Sequence, residues 1–246
     1  MSNQQQKIAL ITGASRGIGA EIARRLAADG FAVAINYANS AAEANKLVSE
    51  LRAVGAQAVA IQADMAQPDQ VRALFTQCEQ QLGPLDVLVN NAGIMQTMPL
   101  ADTSDELFAQ TFAVNVQGVF ACLREAATRL NEGGRIINLS TSALALKMPG
   151  YAIYNASKAA VEAMTQVLSK ELRGRQITVN AVAPGPVETE LFLNGKTVEM
   201  VQRLAHMSPL ERLGQPEDIA AVVSFLAGAE GGWINGQVLR ANGGIA

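Results

Sequence analysis

Tyr154 and Lys158 are the residues of this 246-residue chain whose types and spacing point most directly to chemistry. If the segment Tyr154-Asn155-Ala156-Ser157-Lys158 is helical, the two side chains project from one face, one turn apart. A free phenol titrates near ~10 and is scarcely ionised at neutral pH. A neighbouring ammonium favours the phenolate and lowers that value, which prepares the tyrosine to exchange a proton with a substrate oxygen. The same spacing also fits a helix that carries a buried tyrosine and a surface lysine. Tyr-x-x-x-Lys by itself is common by chance, so the rest of the chain must decide.

The elements that would position this pair begin with a β-rich run at 7–12 that stops at Gly13. Gly13-Ala14-Ser15-Arg16-Gly17-Ile18-Gly19 follows, and then Ile18, Ile22 and Leu26 at helical spacing. Strand, glycine loop and helix in succession are the context of a dinucleotide fingerprint. Glycines let the main chain approach a pyrophosphate, and the helix N-terminus offers it free N–H groups and a positive dipole end. The second strand, 31–35, ends at Asn36, with Tyr37, Ala38, Asn39 and Ser40 behind it and no carboxylate until Glu43. An NAD site usually places Asp or Glu here for the ribose 2′-hydroxyl. Amides and hydroxyls can instead donate to a 2′-phosphate, with Arg16 supplying the charge. Arg16 would otherwise be a solvated loop residue. NADP(H) is the expected cofactor.

Helix and strand continue to alternate: helices at 41–54, 68–82 and 216–229, and strands at 56–63, 85–89, 135–139, 177–183 and 237–241. Asp64 and Met65, at the end of the third strand, are assigned to the adenine end of the cofactor site; Asp64 also fits as a cap on the next turn. Asn91, Ala92 and Gly93 follow the fourth strand, small enough for a nucleotide to lie close. A helix expected over about 104–130 carries Asn115 among Phe112, Val114, Val116 and Val119. An amide in that setting must be hydrogen-bonded or face a cavity, and a satisfied core asparagine is equally consistent. The fifth strand runs into Ser140-Thr141-Ser142, and the sixth breaks at Pro184-Gly185-Pro186. Residues 188–214 have a weak pattern and are expected to form a lid over the substrate. The pattern as a whole predicts one α/β domain over 1–246: a doubly wound, seven-stranded parallel sheet with helices on both faces.

Composition narrows the function classes. Apolar residues make up 49% of the chain and aromatics 4%, so the core must be built from Ala, Val, Ile and Leu, as in buried parallel strands. A net charge of −3 with no basic run leaves no electrostatic footprint for nucleic acid. No apolar run approaches the ~18 residues of a membrane span, and residues 1–6 lack a signal peptide's apolar core. Cys78 and Cys122 form no metal or redox motif, and the single histidine, His206, excludes chemistry that needs several. A cytoplasmic location is expected.

Thr12-Gly13-x-x-x-Gly17-x-Gly19, Asn90-Asn91-Ala92-Gly93, Asn115, the hydroxyl cluster, Tyr154-x-x-x-Lys158 and Pro184-Gly185 occur in that order. With them the chain resembles the short-chain dehydrogenase/reductase family in its compact single-domain branch, near its 3-oxoacyl-carrier-protein reductases. The 36–40 segment is similar to that of the NADPH-using trihydroxynaphthalene reductases. The resemblance implies a Rossmann fold and hydride transfer between nicotinamide and a carbonyl or alcohol. Tyr154 would be the general acid in reduction and the base in oxidation. Lys158 would bond the nicotinamide ribose and lower the phenol's pKa, and Asn115 would hold a water linking Lys158 to solvent. The family's catalytic serine falls on Thr141 in an ungapped match, and strand alternation would turn Ser140 and Ser142 away from it. A small shift could bring in Ser142, which is preferred here because serine is the family's residue.

The resemblance further places Pro184, Gly185, Val187 and Thr189 at the nicotinamide and diphosphate, and Ile94 beside the ribose. Ala143, Leu144, Pro149, Tyr151 and Phe192 would line the substrate pocket. They are mostly apolar, which suits a neutral ketone, quinone or other hydrophobic carbonyl compound. Asn242 stands where relatives usually carry Asp, and is assigned to packing or subunit contacts. A homotetramer is implied, with Ala159, Ala160, Val161, Val167 and Leu168 suited either to its interface or to a monomer core. Two other readings remain: a catalytically silent nucleotide sensor or scaffold, and an epimerase or dehydratase of the extended branch. The latter usually has a different glycine spacing and an added substrate domain.

Overall fold

Short runs of Ala, Val, Ile and Leu, too small to fill space singly, bury themselves by pairing side by side. In the computed structural model, which describes residues 6–246, seven strands form one parallel sheet. They are β1 (Ile8–Ile11), β2 (Ala32–Tyr37), β3 (Ala58–Gln62), β4 (Val87–Asn90), β5 (Arg135–Leu139), β6 (Thr178–Pro184) and β7 (Val238–Ala241). Their order is β3-β2-β1-β4-β5-β6-β7. Most of the polar start noted above, residues 1–5, lies outside the described residues.

The helices are α1 (Gly17–Ala28), α2 (Ala41–Ala53), α3 (Pro68–Leu82), α4 (Asp105–Phe112), α5 (Val119–Arg129), α6 (Ala143–Leu146), α7 (Ala152–Glu171), α8 (Glu190–Leu193), α9 (Val198–His206) and α10 (Pro216–Ala227). Side chains alternate along β1, so Ala9 and Ile11 join one core layer and Ile8 and Leu10 the other. The first layer packs under α1, α2 and α10, the second under α3, α5 and α7. This is the doubly wound Rossmann arrangement expected. Val161 is fully buried in the second layer while Val167 is exposed, so the apolar positions on α7 divide between core and surface.

The chain runs outward from β1 to β2 and β3, then returns to pair β4 on the other side of β1. Connections therefore diverge beyond the C-terminal ends of β1 and β4, and a crevice opens there. Pro68 and Pro216 occupy first-turn positions of α3 and α10, where a missing N–H costs nothing.

Two expectations differ. The helix predicted across 104–130 is interrupted: α4 passes into a π-helical run, Ala113–Gly118, before α5. Such widened turns have no sequence period of their own and recur at functional sites. The segment 188–214, expected to lack regular structure, contains α8 and α9. Thr189 and Thr197 cap them by accepting from Phe192 N and Met200 N. Helices of four and nine residues give too few repeats for periodicity to register.

Candidate active site

The C-terminal ends of the central strands and helix α8 enclose a cleft of about 620 Å³. Gly13, Ser15, Arg16, Gly17, Ile18 and Gly19 border it at one end, with residues 36–40, Asp64 and Met65 beside them. Residues 91–94 form its floor, and Pro184, Gly185, Val187 and Thr189 the far wall. Gly13 has φ +61°, and a Cβ there would lie 2.8 Å from Ala92 Cα, so only glycine fits. Thr12 Oγ1 accepts from Asn91 N and Ala92 N at 3.0 Å each, while Asn91 Nδ2 donates to Thr12 O at 2.9 Å. These bonds lock the loop after β4 against the glycine loop. No side chain caps the N-terminus of α1, leaving its first N–H groups for an anion.

Asn36 sits differently from the sequence expectation. Its amide is 1% exposed: Oδ1 accepts from Gly13 N at 3.0 Å and Nδ2 donates to Ala63 O at 3.0 Å. A side chain so occupied cannot donate to a 2′-phosphate; it braces the glycine loop against the end of β3. Arg16 is exposed and pairs with Glu190 of α8 at 3.0 Å, joining the glycine loop to the 188–214 segment. Asp64 borders the cleft while its Oδ1 accepts from Ala66 N at 2.9 Å, so it also caps its turn.

Tyr154 and Lys158 lie one turn apart on α7, with the Lys158 Nζ 6.0 Å from the Tyr154 ring centre. Lys158 Nζ donates to Leu139 O at 2.7 Å, and the residue is only 4% exposed. Burial pulls the ammonium down to about 8. Tyr154 keeps some surface on the cleft, yet the protein packed around its ring and hydroxyl pushes the phenol up to about 12. The Thr141 hydroxyl opposes that shift through a side-chain hydrogen-bond interaction, and Tyr151 adds to it. In the protein itself, then, desolvation outweighs the lowering expected from Lys158.

The hydrogen bonds engage Ser142 elsewhere and leave Thr141 the freer of the two candidate hydroxyls. Thr141 shares the cleft with Tyr154, and its hydroxyl bears on the phenol in the lowering sense. Ser142 is 2% exposed, donating through Oγ to Ala183 O at 2.9 Å and accepting from Asn242 Nδ2 at 3.0 Å. Ser140 Oγ donates to Glu162 Oε1 at 2.5 Å. Both serines lie beyond the end of β5 and border the cleft, but their hydroxyls are taken up by Glu162, Ala183 O and Asn242.

Asn115, in the π-helical run, is fully buried and lies behind the cleft wall rather than on it. Its Oδ1 accepts from Ile94 N and its Nδ2 donates to Ile94 O, both at 2.9 Å, and to Ser157 Oγ at 3.1 Å. A Cβ built on Gly93 would lie 3.3 Å from Asn115 Oδ1 and 3.5 Å from Lys158 Nζ, so the amide and the ammonium flank that glycine.

Of the residues assigned to substrate, Ala143, Tyr151 and Phe192 line the cleft, and Leu144 and Pro149 do not. In α6, positions 143 and 146 share a face and 144 points away from it, so Leu146 takes the place expected for Leu144. Pro149 is exposed in the turn beyond, and Met148 lines the wall instead. Met95, Gln110, Val114, Glu190 and Leu191 also reach the cleft without any motif to announce them. Among the described residues no group of three or more His, Cys, Asp or Glu could hold a metal ion. No helix among them is long and apolar enough to cross a membrane.

A family model described as enoyl-(acyl carrier protein) reductase matches residues 13–246. The chain is 48% identical to a short-chain type dehydrogenase/reductase of Picea abies, over 97% of this chain and 92% of that one. It is 45% identical to a chloroplastic NADPH-dependent aldehyde reductase-like protein of Arabidopsis thaliana, over 97% and 93%. Among solved structures, a blue fluorescent protein from a metagenomic library, in complex with NADPH, superposes with TM-score 0.93 at 41% identity and covers 100% of both chains. A short-chain dehydrogenase from Burkholderia cenocepacia in complex with NADP does so with TM-score 0.93 at 41% identity, covering 99% of each. Agreement of sheet, glycine loop and whole-length sequence at this level places the chain in the short-chain dehydrogenase/reductase family.

Proposed function

We propose that the protein is an NADP(H)-dependent oxidoreductase that moves a hydride between nicotinamide and a neutral carbonyl or alcohol, with Tyr154 as proton donor and acceptor. One observation carries this reading: Tyr154, Thr141 and Lys158 converge in the same cleft that ends at the uncapped N-terminus of α1. That cleft fits a dinucleotide. Gly13 lets the main chain come close, the α1 N–H groups suit a diphosphate, and Arg16, Asn39 and Ser40 offer donors to a 2′-phosphate with no carboxylate among residues 36–40. NADPH complexes and NADPH-dependent activity among the relatives support the same choice.

When bound, NADP(H) supplies or accepts the hydride. The protein's share is position and proton. Burial keeps the Tyr154 phenol protonated at neutral pH, ready to give its proton to a carbonyl oxygen and to recover it from an alcohol. The Thr141 hydroxyl, beside it, would steady that oxygen. Lys158 keeps most of its charge at neutral pH and favours the tyrosinate as the proton leaves. Asn115 ties the Ile94 backbone to Ser157, the residue before Lys158 on α7.

Apolar Ala143, Leu146, Met148, Leu191 and Phe192 near Tyr154 favour an uncharged, hydrophobic carbonyl compound. Residues 188–214 would act as its lid, tied to the glycine loop through Arg16 and Glu190. A homotetramer is carried over from the family resemblance alone, and a cytoplasmic location has no support from the relatives, one of which is chloroplastic.

The test compares NADPH with NADH, using phenanthrenequinone as acceptor, for the wild type and Tyr154→Phe. NADPH should be preferred, and the variant should lose roughly 10²–10⁴-fold in turnover while still binding cofactor. Tight NADPH binding with no turnover of any carbonyl or alcohol in a broad panel would instead favour a nucleotide sensor.

A further inference from the structure

Asn242 lies just past β7, 100 residues from the Thr141-Ser142 turn, yet its amide meets the Ser142 hydroxyl at 3.0 Å. The hydrogen-bond inventory around that contact is closed. Gly244 N is an obligate donor and bonds Asn242 Oδ1 at 3.0 Å, which fixes the orientation of the amide. Asn242 Nδ2 therefore faces Ser142 Oγ and, at 3.0 Å, Ala246 O, an obligate acceptor. Ala183 O is also an obligate acceptor, and it takes the single proton of the Ser142 hydroxyl at 2.9 Å. Ser142 has nothing left to donate toward residue 242. Its partner there must supply the proton: an asparagine can, and an ionised aspartate cannot.

The contact bears on the proton-transfer site through one peptide bond. Ser142 N donates to Pro184 O at 2.8 Å, and Ala143 N donates to Thr141 Oγ1 at 3.2 Å. Together with the Ser142 hydroxyl these bonds pin the turn that holds Thr141 on the cleft it shares with Tyr154. We propose that Asn242 is a positioning residue for the Thr141 hydroxyl, acting through Ser142 as a matched donor and acceptor pair that excludes a carboxylate at 242. The inference rests on the reductase reading above and adds to it a residue that touches neither cofactor nor substrate.

The test is NADPH-dependent reduction of phenanthrenequinone by wild type, Asn242→Asp, Ser142→Ala and the double variant, with kcat and KM followed from about pH 5 to pH 8. Tyr154→Phe serves as the control for the reductase reading. Near pH 8, Asn242→Asp should lose roughly tenfold in kcat, the equivalent of one broken hydrogen bond, with KM little changed. The loss should shrink toward pH 5, because the unmatched contact with Ser142 raises the introduced carboxyl above the ordinary ~4 and its protonation restores a donor for Ser142. In the Ser142→Ala background the same substitution should bring a much smaller pH-dependent loss, since the hydroxyl it offends is gone and only the exposed contact with Ala246 O remains. A ratio of variant to wild-type kcat that stays flat across pH, or a pH-dependent loss just as large without Ser142, overturns the proposal. If Asn242→Asp does not fold near pH 8, recovery of folded protein near pH 5, and at both values with Ser142→Ala, supports it; failure in both backgrounds overturns it. Full turnover by Tyr154→Phe would sink the reductase reading instead, and so identifies which argument has failed.

Discussion

Replacing Lys158 with methionine should make the protein more stable and less active. Lys158 is 4% exposed, and burial lowers its ammonium from 10.5 to about 8. That gap corresponds to about 3 kcal/mol of destabilisation while the group is charged in both folded and unfolded chains. Below about pH 8 both states hold the proton and the whole cost stands. Between pH 8 and 10.5 the unfolded chain binds more protons than the folded one, so wild-type stability rises with pH. Methionine fills much the same volume without charge, but leaves Leu139 O without the donor it has at 2.7 Å, which takes back about 1 kcal/mol. Lys158→Met should therefore gain about 2 kcal/mol at pH 7. Urea denaturation of both proteins at steps from pH 6 to about pH 9.5 reads the difference. The advantage should be constant up to about pH 7.5 and fall by about 2 kcal/mol by the last step. Measurement stops there because Tyr154, held near 12 against 10.0 for a free phenol, destabilises both proteins once the unfolded phenol ionises. A variant less stable than wild type at pH 7, or a difference that does not change with pH, would refute the assignment of a buried, charged lysine.

Thr141→Ala should lower kcat by roughly 10²-fold, as loss of a hydroxyl at the reacting oxygen does. Ser142→Ala should cost about 1–3 kcal/mol of stability, because Ala183 O and the Asn242 amide lose a partner, and no more than about tenfold in kcat; the reverse ranking in kcat would restore Ser142 to the reacting position. Arg16→Ala should weaken NADPH binding by roughly tenfold or more while leaving NADH binding nearly unchanged, as measured by titrating cofactor fluorescence. Equal losses for both cofactors would remove Arg16 from 2′-phosphate recognition.

The sequence by itself determined the seven strands and their alternation with helices, because buried parallel strands must be short apolar runs and their covering helices must be amphipathic. It also determined that Tyr154 and Lys158 share a face, and that the glycine loop stands between a strand and a helix, since all of these are local matters of spacing. Tertiary structure decided what each polar group has left to offer. Asn36 had the right chemistry for a phosphate, but Gly13 N and Ala63 O, from two other segments, take up its amide. Ser142 had the family's residue type, but the ends of β6 and β7 claim its hydroxyl, and Thr141 is the less engaged hydroxyl on the cleft it shares with the phenol. Asn242, distant in sequence, became a neighbour of the reacting turn because β7 pairs with β6 at the sheet's edge. The phenol's pKa likewise depended on how much protein surrounds it, which no spacing of residues records. Spacing along the chain fixes direction within one element, whereas the partner of a donor or acceptor is chosen by which elements the fold brings together.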